Sequence, residues 1–88
     1  MRILFVADIF AQAGRRMASI HIPALLRERS VDFVIANGEN AAGGFGLTDN
    51  LVSKLRSYGV DVITSGNHIW DRKEFVPQLD RDDRVLRP

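Results

Sequence analysis

The 88 residues predict an α/β fold in which three parallel strands alternate with helices, in the order β-α-β-α-β-α. Three observations carry this. Three short apolar runs, rich in β-branched or aromatic residues, stand at Ile3-Leu4-Phe5-Val6-Ala7, Phe33-Val34-Ile35-Ala36 and Val60-Asp61-Val62-Ile63-Thr64. Stretches with helical periodicity separate them. Cap and stop residues sit where the pattern changes.

The first two runs are continuous rather than alternating, as expected of strands buried on both faces of a parallel sheet. Residues 14–29 form the first helical stretch, with Met17, Ile20, Ala24 and Leu25 as its apolar positions. Pro23 inside it predicts a kink or a second helical piece, because proline lacks the backbone donor. Residues 49–58 place Leu51, Val52, Leu55 and Tyr58 on one face, with Thr48 as N-cap and Gly59 as stop. Asp71-Arg72-Lys73-Glu74 resembles a capping box and predicts a third helix that turns Phe75, Val76 and Leu79 inward. The order predicts right-handed crossovers between strands. Asp80 to Arg84 is a mixed charge run, read as a solvated turn.

Composition narrows the function classes. A net charge of +1 gives no strong field toward nucleic acid or an acidic membrane, so stable DNA binding is not expected. The chain has no cysteine, which removes disulfides, thiolate zinc sites and cysteine nucleophiles and suits a reducing cytoplasm. The opening MRILFVADIF carries Asp8 in its apolar stretch and reads as a strand rather than a signal peptide. No apolar run reaches the length of a membrane span.

In an open parallel sheet, ligands bind beyond the carboxyl ends of the strands. The first strand ends in Ala7-Asp8, the second in Asn37-Gly38-Glu39-Asn40, the third in Gly66-Asn67-His68. If the strands are adjacent, Asp8, Glu39 and Asn67 converge on one point, since neighbours lie just under about 5 Å apart. Two carboxylates, an amide oxygen and an imidazole suit a borderline or hard divalent metal. A carboxylate between two metals can bridge them, and two-metal sites serve in-line displacement at phosphorus.

Each residue also has a plainer reading. Asp8 can cap the next helix, Asn37-Gly38 is a turn pair, and Glu39, Asn40 and His68 are ordinary loop residues when taken singly. His21 reads as structural or solvent-facing and Trp70 as packing. Arg15 and Arg16 read as a solvated helix face, with a phosphate contact as the alternative. Gly38 and Gly66 permit positive φ or close approach of the backbone. Gly43, Gly44 and Gly46 read as a mobile loop in which Phe45 anchors to the core or covers a substrate. The string GGFG lacks the spacing and position of a dinucleotide fingerprint.

Asp8, then NGEN, then GNH resembles the calcineurin-like metallophosphoesterases. The longer form IANGENAAGG, followed by GVDVITSGNHIWD, is similar to the YmdB-type bacterial branch over essentially the whole chain. The resemblance implies a four-layer α/β/β/α sandwich, of which these residues supply one sheet and its helices. It implies two divalent metal ions, iron or manganese: Asp8 on one, Glu39 bridging both, Asn67 on the second. Asn40 and His68 would contact the phosphate, with His68 as general acid. The implied reaction is hydrolysis of phosphodiesters, 2',3'-cyclic nucleotides as the substrate class, by a hydroxide activated at the metals.

The sequence departs from that pattern in three ways. The D-x-H of many metallophosphoesterases is Asp8-Ile9-Phe10, so one histidine ligand is absent. Ala7 and Ala11 stand where the branch typically carries glycines, and their methyls narrow the approach to the metal. The family's domain is roughly three times longer, and its second half supplies further histidines; only His21 and His68 occur here. The expectation is that residues 1–88 are the N-terminal part of one domain, incomplete at the C-terminus, carrying half a site and inactive or weak alone. An uncovered apolar sheet face is expected, to be covered by self-association or by the missing half. A non-catalytic binding or assembly module is the alternative. A nucleotide-binding domain of another class is disfavoured by the lack of a glycine-rich phosphate loop.

Overall fold

The computed structural model describes residues 1–44 and 46–88. Strands β1 (Ile3–Val6), β2 (Phe33–Asn37) and β3 (Val62–Thr64) form a parallel sheet in the order β1-β2-β3. Helix α1 (Ala11–Glu28) joins the first two strands and α2 (Asp49–Tyr58) the second and third. A 3₁₀ turn, Asn67–Asp71, and a short helix, α3 (Val76–Leu79), follow. The register pairs Leu4 with Val34 and Val6 with Ala36, and Ile63 also pairs with Ala36. These five side chains make the face that meets the helices.

Consecutive strands wound in one direction by right-handed crossovers put both helices on the same side of the sheet. Helices α1 and α2 pack on each other there. Val34, Ala36, Ile63, Ile22, Val52, Leu55 and Phe75 are buried in one core. The opposite face carries Ile3, Phe5, Phe33, Ile35 and Val62. Ile3 and Phe5 are 57% and 59% exposed. Burial on both faces, as the continuous runs predict, is thus met on one face only among the described residues.

Helix α2 matches its predicted bounds. The Thr48 hydroxyl accepts from the Leu51 N–H at 3.3 Å. Gly59 ends the helix at φ +113°, a conformation that costs a side chain dearly. Helix α1 differs from its expectation. It begins three residues earlier and runs unbroken through Pro23. Its buried positions are Ala18 and Ile22, while Met17 and Ile20 are more than half exposed. The stripe at 18 and 22 faces the sheet; the one at 17, 20 and 24 lies about two-fifths of a turn away.

Strand β3 is shorter than predicted because Asp61 takes over its pairing. The Asp61 carboxylate accepts from the Val34 N–H at 2.8 Å, and the Asp61 N–H reaches the Val34 carbonyl at 2.9 Å. The predicted capping box at Asp71 does not form. Asp71 closes the 3₁₀ turn instead, and α3 begins at Val76 with Phe75 and Leu79 buried.

The charge run after α3 is more than a solvated turn. The Arg56 guanidinium on α2 donates to Asp82 at 2.6 Å, and the Arg84 N–H donates to the same carboxylate at 3.1 Å. Val85 then forms a parallel bridge with Ile63, a fourth position on the sheet edge that periodicity alone does not announce. Leu86 N–H and the Arg84 carbonyl complete that bridge at 2.8 Å each.

Burial pushes the Asp82 carboxyl up, but the Arg56 and Arg84 hydrogen bonds and guanidinium charges outweigh it and hold its pKa below the ordinary value of 3.8. A carboxyl with a depressed folded pKa stabilises fully above its unfolded pKa, and that contribution fades as pH falls through the folded one. The stability gap between wild type and Asp82→Asn should therefore be constant near neutrality and shrink in denaturation series taken below about pH 4. Ala11 sits at φ +52°, where a Cβ is unfavourable. Ala11→Gly should raise the unfolding free energy by about 0.5–1 kcal/mol, read by urea titration.

Candidate functional site

The carboxyl ends of all three strands emerge on one edge and are laced together by backbone bonds. The Ile9 N–H reaches the Asn37 carbonyl at 3.0 Å, and the Gly38 N–H reaches the Thr64 carbonyl at 3.0 Å. Beyond these bonds stand Asp8, Glu39, Asn40, Asn67 and His68. The strands are neighbours in consecutive order, which meets the adjacency that the expected convergence requires.

Asp8 does not cap α1. The capping position is Phe10, whose side chain makes no cap bond. Asp8 instead adopts φ +35° and accepts from the Asn40 side-chain amide at 2.8 Å. The Ala11 N–H also reaches the Asn40 carbonyl at 3.0 Å, so Asn40 is held on both sides to the β1–α1 loop. Two non-glycine residues in the left-handed region within four positions is local strain of the kind that collects at functional sites.

Glu39 is half-buried at the junction of β2 and β3. A Cβ built on Gly66 would stand 2.7 Å from its Oε1 and 2.8 Å from its Cδ. The carboxylate therefore rests on the bare α-carbon of Gly66, immediately before Asn67. Of the two options for this glycine, close approach holds, since its φ is −145°. Gly38 is likewise used for closeness: a methyl placed on it would stand 3.0 Å from Ile63 Cγ2.

The loop after Glu39 is pinned rather than free. The Gly46 N–H donates to the Glu39 carbonyl, and the Ala42 N–H to the Gly46 carbonyl at 3.0 Å. Two arginines grip the same loop: Arg15 donates to the Ala41 carbonyl and Arg72 to the Ala42 carbonyl, the latter at 2.9 Å. Arg15 is thus a loop clamp rather than part of the solvated helix face expected from the sequence; Arg16 is exposed. Phe45 lies outside the described residues.

His68 Nδ1 lies 2.8 Å from Asp71 Oδ2. A carboxylate accepts, so Nδ1 donates and Nε2 is not used in this bond. The geometry follows from the local helix type, because side chains three apart eclipse in a 3₁₀ turn. Sequence patterning assigns Asp71 to a helix cap and so misses this role; the H-x-x-D spacing is the signal that points to it. Trp70 is 42% exposed and stacks with Arg87, whose guanidinium carbon is 5.8 Å from the ring centroid, so it is not core packing. His21 is exposed on α1, as expected.

The donor set fits divalent metal ions in part. Asp8 and Glu39 offer carboxylate oxygens and Asn67 an amide oxygen, the hard donors such ions take. The cradle at Gly66 leaves the Glu39 carboxylate room where a methyl would displace it. Among the described residues, no group of three or more His, Cys, Asp and Glu side chains is placed to hold a metal ion, so these residues furnish a fraction of a coordination shell. No helix of the described residues is long and apolar enough to cross a membrane.

Comparison with known proteins agrees with this architecture. The chain is 43% identical over all 88 residues to the 2',3'-cyclic-nucleotide 2'-phosphodiesterase of Bacillus subtilis, and covers 33% of it. A crystal structure of a hypothetical protein from Thermus thermophilus superposes on the whole chain with a TM-score of 0.89 at 46% identity, over 34% of its own length. That of a phosphatase from Mycoplasma pneumoniae superposes on 98% of the chain with a TM-score of 0.92 at 31% identity, over 31% of its length. The chain thus spans about a third of the length of the relatives it matches. The family model described as YmdB-like protein matches residues 4–88, and the chain belongs to that family.

Proposed function

We propose that this chain supplies one half of the active site of a metal-dependent phosphodiesterase that hydrolyses 2',3'-cyclic nucleotides. The observation that carries the reading is the seat of Glu39 on Gly66, beside Asn67 and next in the chain to Asn40, which Asp8 holds. Similarity to the Bacillus subtilis enzyme supports the substrate class.

Asp8, Glu39 and Asn67 would hold two divalent ions, iron or manganese, with Glu39 shared between them. Such ions, when bound, polarise the phosphoryl oxygen and activate water as a nucleophile. Asn40 is oriented by Asp8 and by its own carbonyl bond to Ala11, and its amide would contact a phosphate oxygen. His68 donates a proton from Nε2 to the leaving oxygen, with Asp71 holding Nδ1 and so fixing the ring. Arg15 and Arg72 hold the loop that carries Glu39 and Asn40 and need not touch substrate.

The remaining ligands come from protein beyond these residues. The open face with Ile3 and Phe5 is the surface against which that protein, or a second copy of the chain, packs. Fully burying one such side chain is worth about 1.5–3 kcal/mol, so each exposed one adds to the drive to cover the face. A binding or assembly module that keeps the strand-end loops without chemistry is the competing reading, and the same experiment separates the two.

Manganese content and hydrolysis of 2',3'-cyclic nucleotides should be measured for the 88-residue chain and for the full-length protein. The full-length protein should be active and the isolated chain inactive or weak. In the full-length protein Glu39→Gln and Gly66→Ala should each lower activity at least about 100-fold, together with manganese affinity, while far-UV circular dichroism is retained. Normal hydrolysis by Glu39→Gln would remove the shared-ligand role. A full-length protein with no hydrolysis at all would favour the non-catalytic module.

A further inference from the structure

We propose that Arg15 is a positioning residue of the site, fixing where Asn40 stands by holding the peptide that follows it. The inference rests on the reading of Asn40 as a phosphate contact and adds the group that sets its place. Arg15 lies on α1 and is half-buried. Its guanidinium crosses to the β2–α2 loop and donates to the Ala41 carbonyl. Ala11, one helical turn earlier, gives its N–H to the Asn40 carbonyl at 3.0 Å. The start of α1 therefore takes two successive carbonyls of the loop. Arg72, just beyond the 3₁₀ turn, takes the third, that of Ala42, at 2.9 Å.

Each peptide is planar, so a chain turns only about its two soft dihedrals per residue. Three consecutive carbonyls held from outside fix three consecutive peptide planes and leave the backbone from Asn40 to Ala42 little freedom to turn. The Asn40 side-chain amide donates to Asp8 at 2.8 Å, on the side of the β1–α1 bend. Ala11 and Arg15 hold the backbone that follows the same α-carbon, so side chain and main chain of Asn40 are tied to one neighbouring segment.

The loop has other anchors that do not involve Arg15. Ala41 and Ala42 are buried, and the Ala41 N–H donates to the Gly38 carbonyl at 3.1 Å. Removing the guanidinium thus loosens the loop without releasing it from the core. The bond uses a single guanidinium nitrogen, so a lysine ammonium, also a charged donor, can stand in for it. Arg15 takes no part in bond making or breaking.

The test uses the full-length protein with manganese and a 2',3'-cyclic nucleotide, in a double-mutant cycle of Arg15→Met with Asn40→Ala. With Asn40 present, Arg15→Met should lower kcat/KM by about tenfold to a hundredfold, the range that a misplacement of about 1 Å produces. With Asn40→Ala already made, it should cost less than about twofold, because the group that it positions is gone. Arg15→Lys should regain most of the activity. Hydrogen exchange at the Ala41 and Ala42 amides, measured without metal, should speed up in Arg15→Met and slow again in Arg15→Lys. The same loss from Arg15→Met in both backgrounds would overturn the assignment, since Arg15 would then act independently of Asn40. No loss in either background, or unchanged exchange, would overturn it as well. If the wild-type protein hydrolyses no cyclic nucleotide, the reading of the site as a phosphodiesterase fails, and the assignment of Arg15 falls with it.

Discussion

Everything in this structure depends on one constraint: three consecutive parallel strands joined by right-handed crossovers in a single direction. That winding puts α1 and α2 on the same face, which is why one face of the sheet is a packed core and the other shows Ile3 and Phe5. It also brings every strand's carboxyl end to the same edge. The open face and the polar edge are therefore two consequences of one topology. The first leaves apolar side chains exposed; the second gathers the polar residues that follow the strands.

The edge works because backbone bonds fix it before any side chain acts. Ile9 to Asn37 and Gly38 to Thr64 set the three ends side by side. Side chains then add a second level. Asn40 is held by Asp8, Glu39 rests on Gly66, and His68 is held by Asp71. Arg15 comes from α1 and Arg72 from just beyond the 3₁₀ turn, and both close on carbonyls of the same short loop. The loop between β2 and α2 is thus clamped from its two neighbours, which is how a glycine-rich segment can hold a fixed geometry. The left-handed Asp8 and Ala11 show that this tightness comes with local strain.

Much of this is legible in the sequence because it depends on local pattern. The strand cores at Val34, Ala36 and Ile63, the α2 bounds at Thr48 and Gly59, and the three polar strand ends all follow from periodicity, caps and the rule that ligands gather at carboxyl ends. What escapes depends on which groups meet at long range. The buried face of α1 is ambiguous in sequence because Met17 and Ile20 are as apolar as the Ala18 and Ile22 that meet the sheet. Asp61 shortens β3 by a side-chain bond to Val34, 27 positions away. Asp82 finds Arg56, and Val85 finds Ile63, through a fold that charge patterning cannot see. Asp71 reads as a cap because an aspartate three positions before Glu74 fits a capping box, while its bond to His68 depends on the 3₁₀ turn that it closes.

The central claim is that Asp8, Glu39 and Asn67 face one point and hold divalent metal there. It is tested most directly by anomalous diffraction from crystals of the full-length protein grown with manganese. The account predicts anomalous peaks about 2.2 Å from carboxylate oxygens of Asp8 and Glu39 and from the Asn67 amide oxygen, with Glu39 touching two of them. Manganese bound elsewhere, with these three side chains away from it, would contradict the account.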